Sequence, residues 1–100
     1  MRGYGGYIYI MSNRKRTVLY TGVSSSLYSR VSQHKWGVGS AFTSRYKCYD
    51  LLYFETFGSI NEAIYREKQL KHWKREWKWN LIAEKNPGLV DLYEEIRGYD

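Results

Sequence analysis

Tyr7-Ile8-Tyr9-Ile10-Met11 and, six residues further on, Val18-Leu19-Tyr20-Thr21-Gly22 decide the fold of this 100-residue chain. Aromatic and β-branched residues alternate along the first run as in a strand packed on both faces. Ser12-Asn13-Arg14-Lys15-Arg16-Thr17 between the runs is polar and basic, so Val18 to Thr21 reads as the returning strand of a hairpin, ended by Gly22. Side chains alternate across a strand. With Met11 opposite Val18, Tyr9 falls opposite Tyr20 and the two hydroxyls converge on one face.

Working outward, Ser24, Ser25 and Ser26 offer N-caps for a helix over about 27–35, which puts Leu27, Arg30, Val31 and His34 on one arc. Trp36 to Ser40 is a glycine-rich loop, and Leu51 to Phe57 reads as a third strand, expected to be central and closed by Gly58. Ser59-Ile60-Asn61-Glu62 matches the capping box that starts a helix. Ile60, Ala63, Ile64, Glu67, Leu70 and Lys71 then recur at spacings of three and four, which places a carboxylate, Glu67, inside an apolar stripe. His72 to Ile82 is helical by composition and basic, with Trp73, Trp77 and Trp79 along it. Asn86-Pro87-Gly88 stops that segment, and Leu89 to Ile96 is a short amphipathic tail. The expected fold is α/β: a small, mainly antiparallel three-stranded sheet flanked by three or more helices. It forms one domain over 1–100, with its core at about 6–86 and a helical tail over 87–100.

Hydrophobic residues make up 43% of the chain and there is one proline, a composition that folds rather than stays disordered. The longest apolar run, Tyr7 to Met11, is too short to span a bilayer, so no membrane association is expected. With no signal-like start and the lone Cys48 unable to form an internal disulfide, a cytoplasmic location follows. The net charge of +6 is unevenly distributed, because no acidic residue precedes Asp50. A basic half of this kind suits a polyanion, most commonly nucleic acid. Arg14, Lys15, Arg16, Lys35, Arg45 and Lys47, with Lys71 and Lys74 from the later helices, are the candidate phosphate contacts. The basic half does not distinguish DNA from RNA.

One cysteine and two histidines argue against a zinc site, and no phosphate-binding loop or Gly-x-Ser-x-Gly elbow is present. Two-metal acidic signatures are also missing, leaving a site built on a single carboxylate. Tyr7-Ile8-Tyr9, Tyr20-Thr21-Gly22, a helix with Arg30 and a helix with Glu67 follow one another in the order of the GIY-YIG nucleases, which this chain resembles from about Gly6 to Asn86. Leu19 to Val23, His34-Lys35, Ala41-Phe42-Thr43 and Glu67 to Lys71 look especially like the small stand-alone bacterial branch. Tyr7 stands where the first motif has glycine, and Thr21 replaces the isoleucine of the second. Tyr7 is expected to add bulk beside the scissile phosphate.

The resemblance implies a DNA endonuclease in which Tyr9 helps take a proton from the attacking water, supported by Tyr20. Arg30 and His34 hold the phosphate, and Glu67 binds Mg²⁺ or Mn²⁺. Asn86 is a further candidate, matching a late asparagine near some members' sites. Selection of branched, flapped or single-stranded shape, and a role in DNA repair or recombination, are expected. Each residue has a structural rival: the tyrosines as packing, Arg30 and His34 as solvated helix-face groups, Glu67 as half of a surface bridge to Lys71, and Asn86 as a helix stop. At the level of the whole chain the rivals are a nucleic-acid-binding module without turnover and a nuclease subunit that needs a protein partner.

Overall fold

A computed structural model of the chain describes residues 4–99. Strands β1 (Gly6–Ser12) and β2 (Leu19–Ser24) are followed by helices α1 (Leu27–Lys35) and α2 (Ala41–Arg45). Strand β3 (Asp50–Phe57), helices α3 (Ile60–Lys71) and α4 (Arg75–Lys85), and a 3₁₀ turn (Tyr93–Ile96) complete the order. The three strands form one antiparallel sheet in the order β2-β1-β3.

The central strand is therefore β1, not β3. Every residue of β1 is buried, because its two alternating sets each meet a packed layer. Tyr7, Tyr9 and Met11 join Leu27, Val31, Leu51 and Ile96 on the α1 side, while Ile8 and Ile10 join Leu52, Ala63, Leu70 and Ile82 on the α3 side. Each fully buried aliphatic side chain contributes roughly 1.5–3 kcal/mol, so a strand apolar on both faces gains most in the middle. β1 and α3 also approach closely: a Cβ on Gly6 would lie 2.8 Å from the Ala63 Cβ and from the Ile60 Cα.

The hairpin register differs from the expected one by two residues. Met11 pairs with Tyr20 and Tyr9 with Gly22, which lies inside β2 rather than ending it. A two-residue shift preserves facing, so Tyr9 and Tyr20 still share a side, as diagonal neighbours with ring centroids 6.5 Å apart. The longer pairing follows from the turn. Asn13 Oδ1 accepts from the backbone N–H groups of Thr17 and Val18 at 2.9 and 3.0 Å, which closes the loop tightly and lets Ser12 pair with Leu19.

Three other local features depart from the sequence pattern. Helix α2 is additional; the Ser40 hydroxyl accepts from the Thr43 N–H at 3.1 Å, the N-cap bond that begins it. The chain breaks between α3 and α4 at His72–Lys74 without glycine or proline, where Trp73 packs on the α3-side cluster beneath the Arg66 guanidinium. Trp79 also packs there, whereas Trp77 is 46% exposed. Among the described residues the tail holds one 3₁₀ turn, and its anchors include Leu92 N–H donating to the Leu51 carbonyl at 2.8 Å and Tyr93 meeting the Ser32 hydroxyl at 2.6 Å. The tail thereby braces α1. Among the described residues no helix is long and apolar enough to cross a membrane.

Candidate active site

Tyr9 projects from the central strand across β2, over a residue that has no side chain. A Cβ on Gly22 would fall 2.3 Å from the Tyr9 Cζ and 2.4 Å from its hydroxyl. Gly22 is thus a slot for the ring. The hydroxyl meets the Nε2 of His34, in the last turn of α1, at 2.8 Å, and also accepts a hydrogen bond from Arg30 of the same helix. Arg30 and His34 are four residues apart, so one helix face presents both.

His34 is fully buried, and its Nδ1 lies 2.8 Å from the Thr43 hydroxyl, which in turn meets the Ser40 hydroxyl at 2.8 Å. A second glycine makes room for the imidazole: a Cβ on Gly39 would fall 2.2 Å from Nδ1. Burial, aided by the charge of Arg30, lowers the His34 pKa to about 4, so the ring is neutral at physiological pH. The Tyr9 hydroxyl, already accepting from Arg30, donates to Nε2, and Nδ1–H donates to Thr43. Both nitrogens are thereby occupied, and His34 has neither charge nor a free nitrogen to hold a phosphate.

Burial pushes the Tyr9 phenol up to about 12, with Tyr20 and then the Glu67 carboxylate acting in the same direction; Arg30 opposes them. The Tyr20 ring lies 5.4 Å from the His34 ring and 5.6 Å from that of Phe42. Glu67 is 13% exposed and accepts from Lys71 Nζ at 2.7 Å, so the bridge to Lys71 exists, although its partner is 52% exposed. Among the described residues no group of three or more His, Cys, Asp or Glu could cage a metal ion. A lone carboxylate is compatible with Mg²⁺ or Mn²⁺, which retain water and take phosphate oxygens as further ligands. The buried Thr21 hydroxyl, which has no hydrogen-bond partner, faces the same side of the sheet as α3.

The remaining expected residues divide. Arg14, Lys15, Arg45 and Lys47 are exposed, and Arg14, Lys15 and Lys47 line a cleft of about 630 Å³ with Tyr46 and Tyr49. Arg16 instead bonds Asp50 at 2.7 Å and the Leu89 carbonyl at 2.9 Å. Lys35 pairs with Asp91 and donates to the Tyr49 carbonyl at 2.8 Å. Lys74 lies over the Trp77 ring. Asn86 caps the end of α4 beside β3, on the opposite edge of the sheet from β2. Its amide donates to the Leu52 and Val90 carbonyls at 3.0 and 2.8 Å and accepts from Val90 N–H at 3.2 Å. Tyr7 lies on the same face of β1 as Tyr9, where its ring is 3% exposed and packs edge-on against Tyr4 and Tyr99. Thr43, Gly22 and Gly39 were not anticipated as site residues. Ser40 before Ala41-Phe42-Thr43 was a readable cap signal, but nothing local told which side chain His34 would meet.

Residues 5–80 match the family model of the GIY-YIG catalytic domain. A UPF0213 protein of Staphylococcus haemolyticus is 33% identical over 79 residues, covering 79% of this chain and 95% of its own. One from Clostridium perfringens is 35% identical over 90 residues, 90% of this chain and 96% of its own. One from Natronomonas pharaonis is 33% identical over 78 residues, 78% and 91% respectively. No solved structure matches the chain.

Proposed function

The chain belongs to the GIY-YIG catalytic-domain family, and on that premise we propose that it is an endonuclease hydrolysing DNA phosphodiester bonds with Mg²⁺ or Mn²⁺. The observation that carries this reading is the Tyr9 hydroxyl, held between Arg30 and His34 and within the field of Glu67. A phenol at about 12 is protonated at pH 7, and forming the phenolate there costs about 7 kcal/mol. Positive charge must offset that cost. Arg30 already lowers the phenol within that value of about 12 and also reaches the charge that develops on the phosphate, so the remaining offset falls to a cation. Glu67 would hold the divalent cation, which supplies Lewis acidity at the phosphate oxygens when bound.

In this scheme Tyr9, once its own proton has passed to solvent at the cost given above, takes up the proton of the attacking water as the phenolate, and Tyr20 supports it from the same face. His34 acts through Tyr9: neutral and doubly bonded, it fixes the hydroxyl over Gly22 without adding charge. Arg14, Lys15, Arg45 and Lys47 hold flanking phosphates. Arg16 and Lys35, both in internal ion pairs, serve the fold. A chain this small offers little surface for reading base edges, so recognition rests on the shape of branched, flapped or single-stranded DNA, as repair and recombination require.

Cleavage of labelled flaps, Holliday junctions and single strands with Mg²⁺ or Mn²⁺ tests the reading. The wild type should cut at least one of these substrates and Glu67→Ala should not. Equal behaviour of the two proteins, with salt-sensitive binding retained, would leave a binding module in place of an enzyme.

A further inference from the structure

Four rings lead outward from the buried phenol. Tyr20 contacts His34, Phe42 lies 5.6 Å from Tyr20, and Tyr46 lies 4.8 Å from Phe42. Phe42 and Tyr46 sit four residues apart across the end of α2, so one face presents both, and each is 42% exposed. Tyr46 also lines the cleft with Arg14, Lys15 and Lys47, and the Arg45 guanidinium lies 5.5 Å from its ring centre. Neighbouring exposed rings that form a contiguous patch, rather than rings exposed singly, mark interaction surfaces. Here the surroundings are cationic, in the half of the chain where no acid precedes Asp50. Among the described residues the one carboxylate lining the cleft, Asp50, is already paired with Arg16 and Lys35.

We propose that Phe42 and Tyr46 form a stacking platform for nucleobases of the strand next to the scissile phosphate, with Arg14, Lys15, Arg45 and Lys47 on its phosphates. The occupant is a nucleic-acid strand, because it combines flat apolar faces with a regular negative charge. The inference rests on the nuclease reading for the position of the scissile phosphate, but the platform is defined by its own rings. Trp73 and Trp79 offer no such platform, since both pack against the core.

Binding of fluorescein-labelled oligothymidylate, and of a hairpin duplex with the same number of phosphates, is measured by anisotropy in EDTA. Because no cleavage is involved, this test stands apart from that of the nuclease reading. Phe42→Ala and Tyr46→Ala should each weaken oligothymidylate binding roughly ten-fold, with the slope of affinity against salt unchanged and duplex binding altered less than about two-fold. Arg45→Ala and Lys47→Ala should reduce the slope on both probes. Phe42→Tyr and Tyr46→Phe, which keep the rings, should retain affinity and so separate stacking from folding defects. Equal losses on both probes, no loss from either ring, or a dominant effect of Trp77→Ala would overturn the proposal.

Discussion

Two buried tyrosines on neighbouring strands, Tyr9 on β1 and Tyr53 on β3, each meet an arginine, and their surroundings differ in one decisive respect. The Tyr53 hydroxyl donates to Glu55, whose carboxylate takes the Arg66 guanidinium on both oxygens at 2.9 and 3.0 Å. Positive and negative charge cancel within that triad. Burial and the adjacent Glu55 both push the Tyr53 phenol up. Despite its own burial, Glu55 is held below the usual carboxylate range by Arg66 and Tyr53. Around Tyr9 the hydrogen-bond acceptor is a neutral imidazole, while among the described residues Arg30 bonds the neutral partners Tyr9 and Gln33. A buried tyrosine beside an arginine therefore does not by itself mark a site. What sets the proposed one apart is an arginine that, among the described residues, has no bonded carboxylate and can face a phosphate.

The contrast is broken most directly by removing the two phenols. Tyr9→Phe should reduce cleavage by about 10²–10⁴-fold, the usual contribution of a positioned base, while Tyr53→Phe should stay within about three-fold in the same single-turnover assay. Comparable losses from both would erase the distinction. Exchanging the arginines comes next. Arg30→Ala should lower the cleavage rate about 10²-fold or more with little change in thermal midpoint. Arg66→Ala should spare the rate yet destabilise the fold by about 2 kcal/mol in chemical denaturation, because Glu55 is left mostly buried beside a tyrosine.

Acid separates the regions through their titrations. A histidine held at about 4 in the fold and near 6.5 in the unfolded chain binds more protons when unfolded, so its stabilisation is complete above about 6.5. It declines as pH falls toward about 4. The Glu55 contribution is present above the ordinary carboxylate value and is lost only as pH falls through its depressed one. Melting temperatures should therefore begin to drop below about pH 6.5, and His34→Gln should remove that early phase while leaving the later one. An unchanged early phase in the variant would place the acid sensitivity elsewhere. The smallest effect concerns the ion pair at Glu67. Lys71→Ala should alter unfolding free energy by no more than about 0.5 kcal/mol, as for pairs one helical turn apart whose cation is solvated, here Lys71 at 52% exposure. A loss of several kcal/mol would assign Glu67 to the fold.

Much of this architecture was legible locally. Helix α1 runs from Leu27 to Lys35 as the spacing indicated, and Ser59 caps α3 through the Glu62 N–H at 3.3 Å. Both signals involve residues within one turn of each other, where sequence distance and spatial distance agree. The Tyr9 and Tyr20 pairing survived an error in register because side-chain facing depends only on parity along a strand. The order of the strands was not legible, since several segments were apolar enough to be central. Only the packing of layers on both sides of β1 selected it.

By itself the sequence determined a basic first half without an acid before Asp50, a carboxylate within a helical apolar stripe, and two tyrosines on one face of a hairpin. All three depend on composition or on fixed backbone periods. Tertiary structure alone decided that His34 is neutral and bonded at both nitrogens, that Arg16 and Lys35 are paired away, and that Gly22 and Gly39 leave room for the Tyr9 and His34 rings. Those outcomes depend on which side chains meet across long separations, as Arg16 meets Leu89 and Lys35 meets Asp91. A charge or a hydroxyl has no fixed role until its neighbours and its access to water are set.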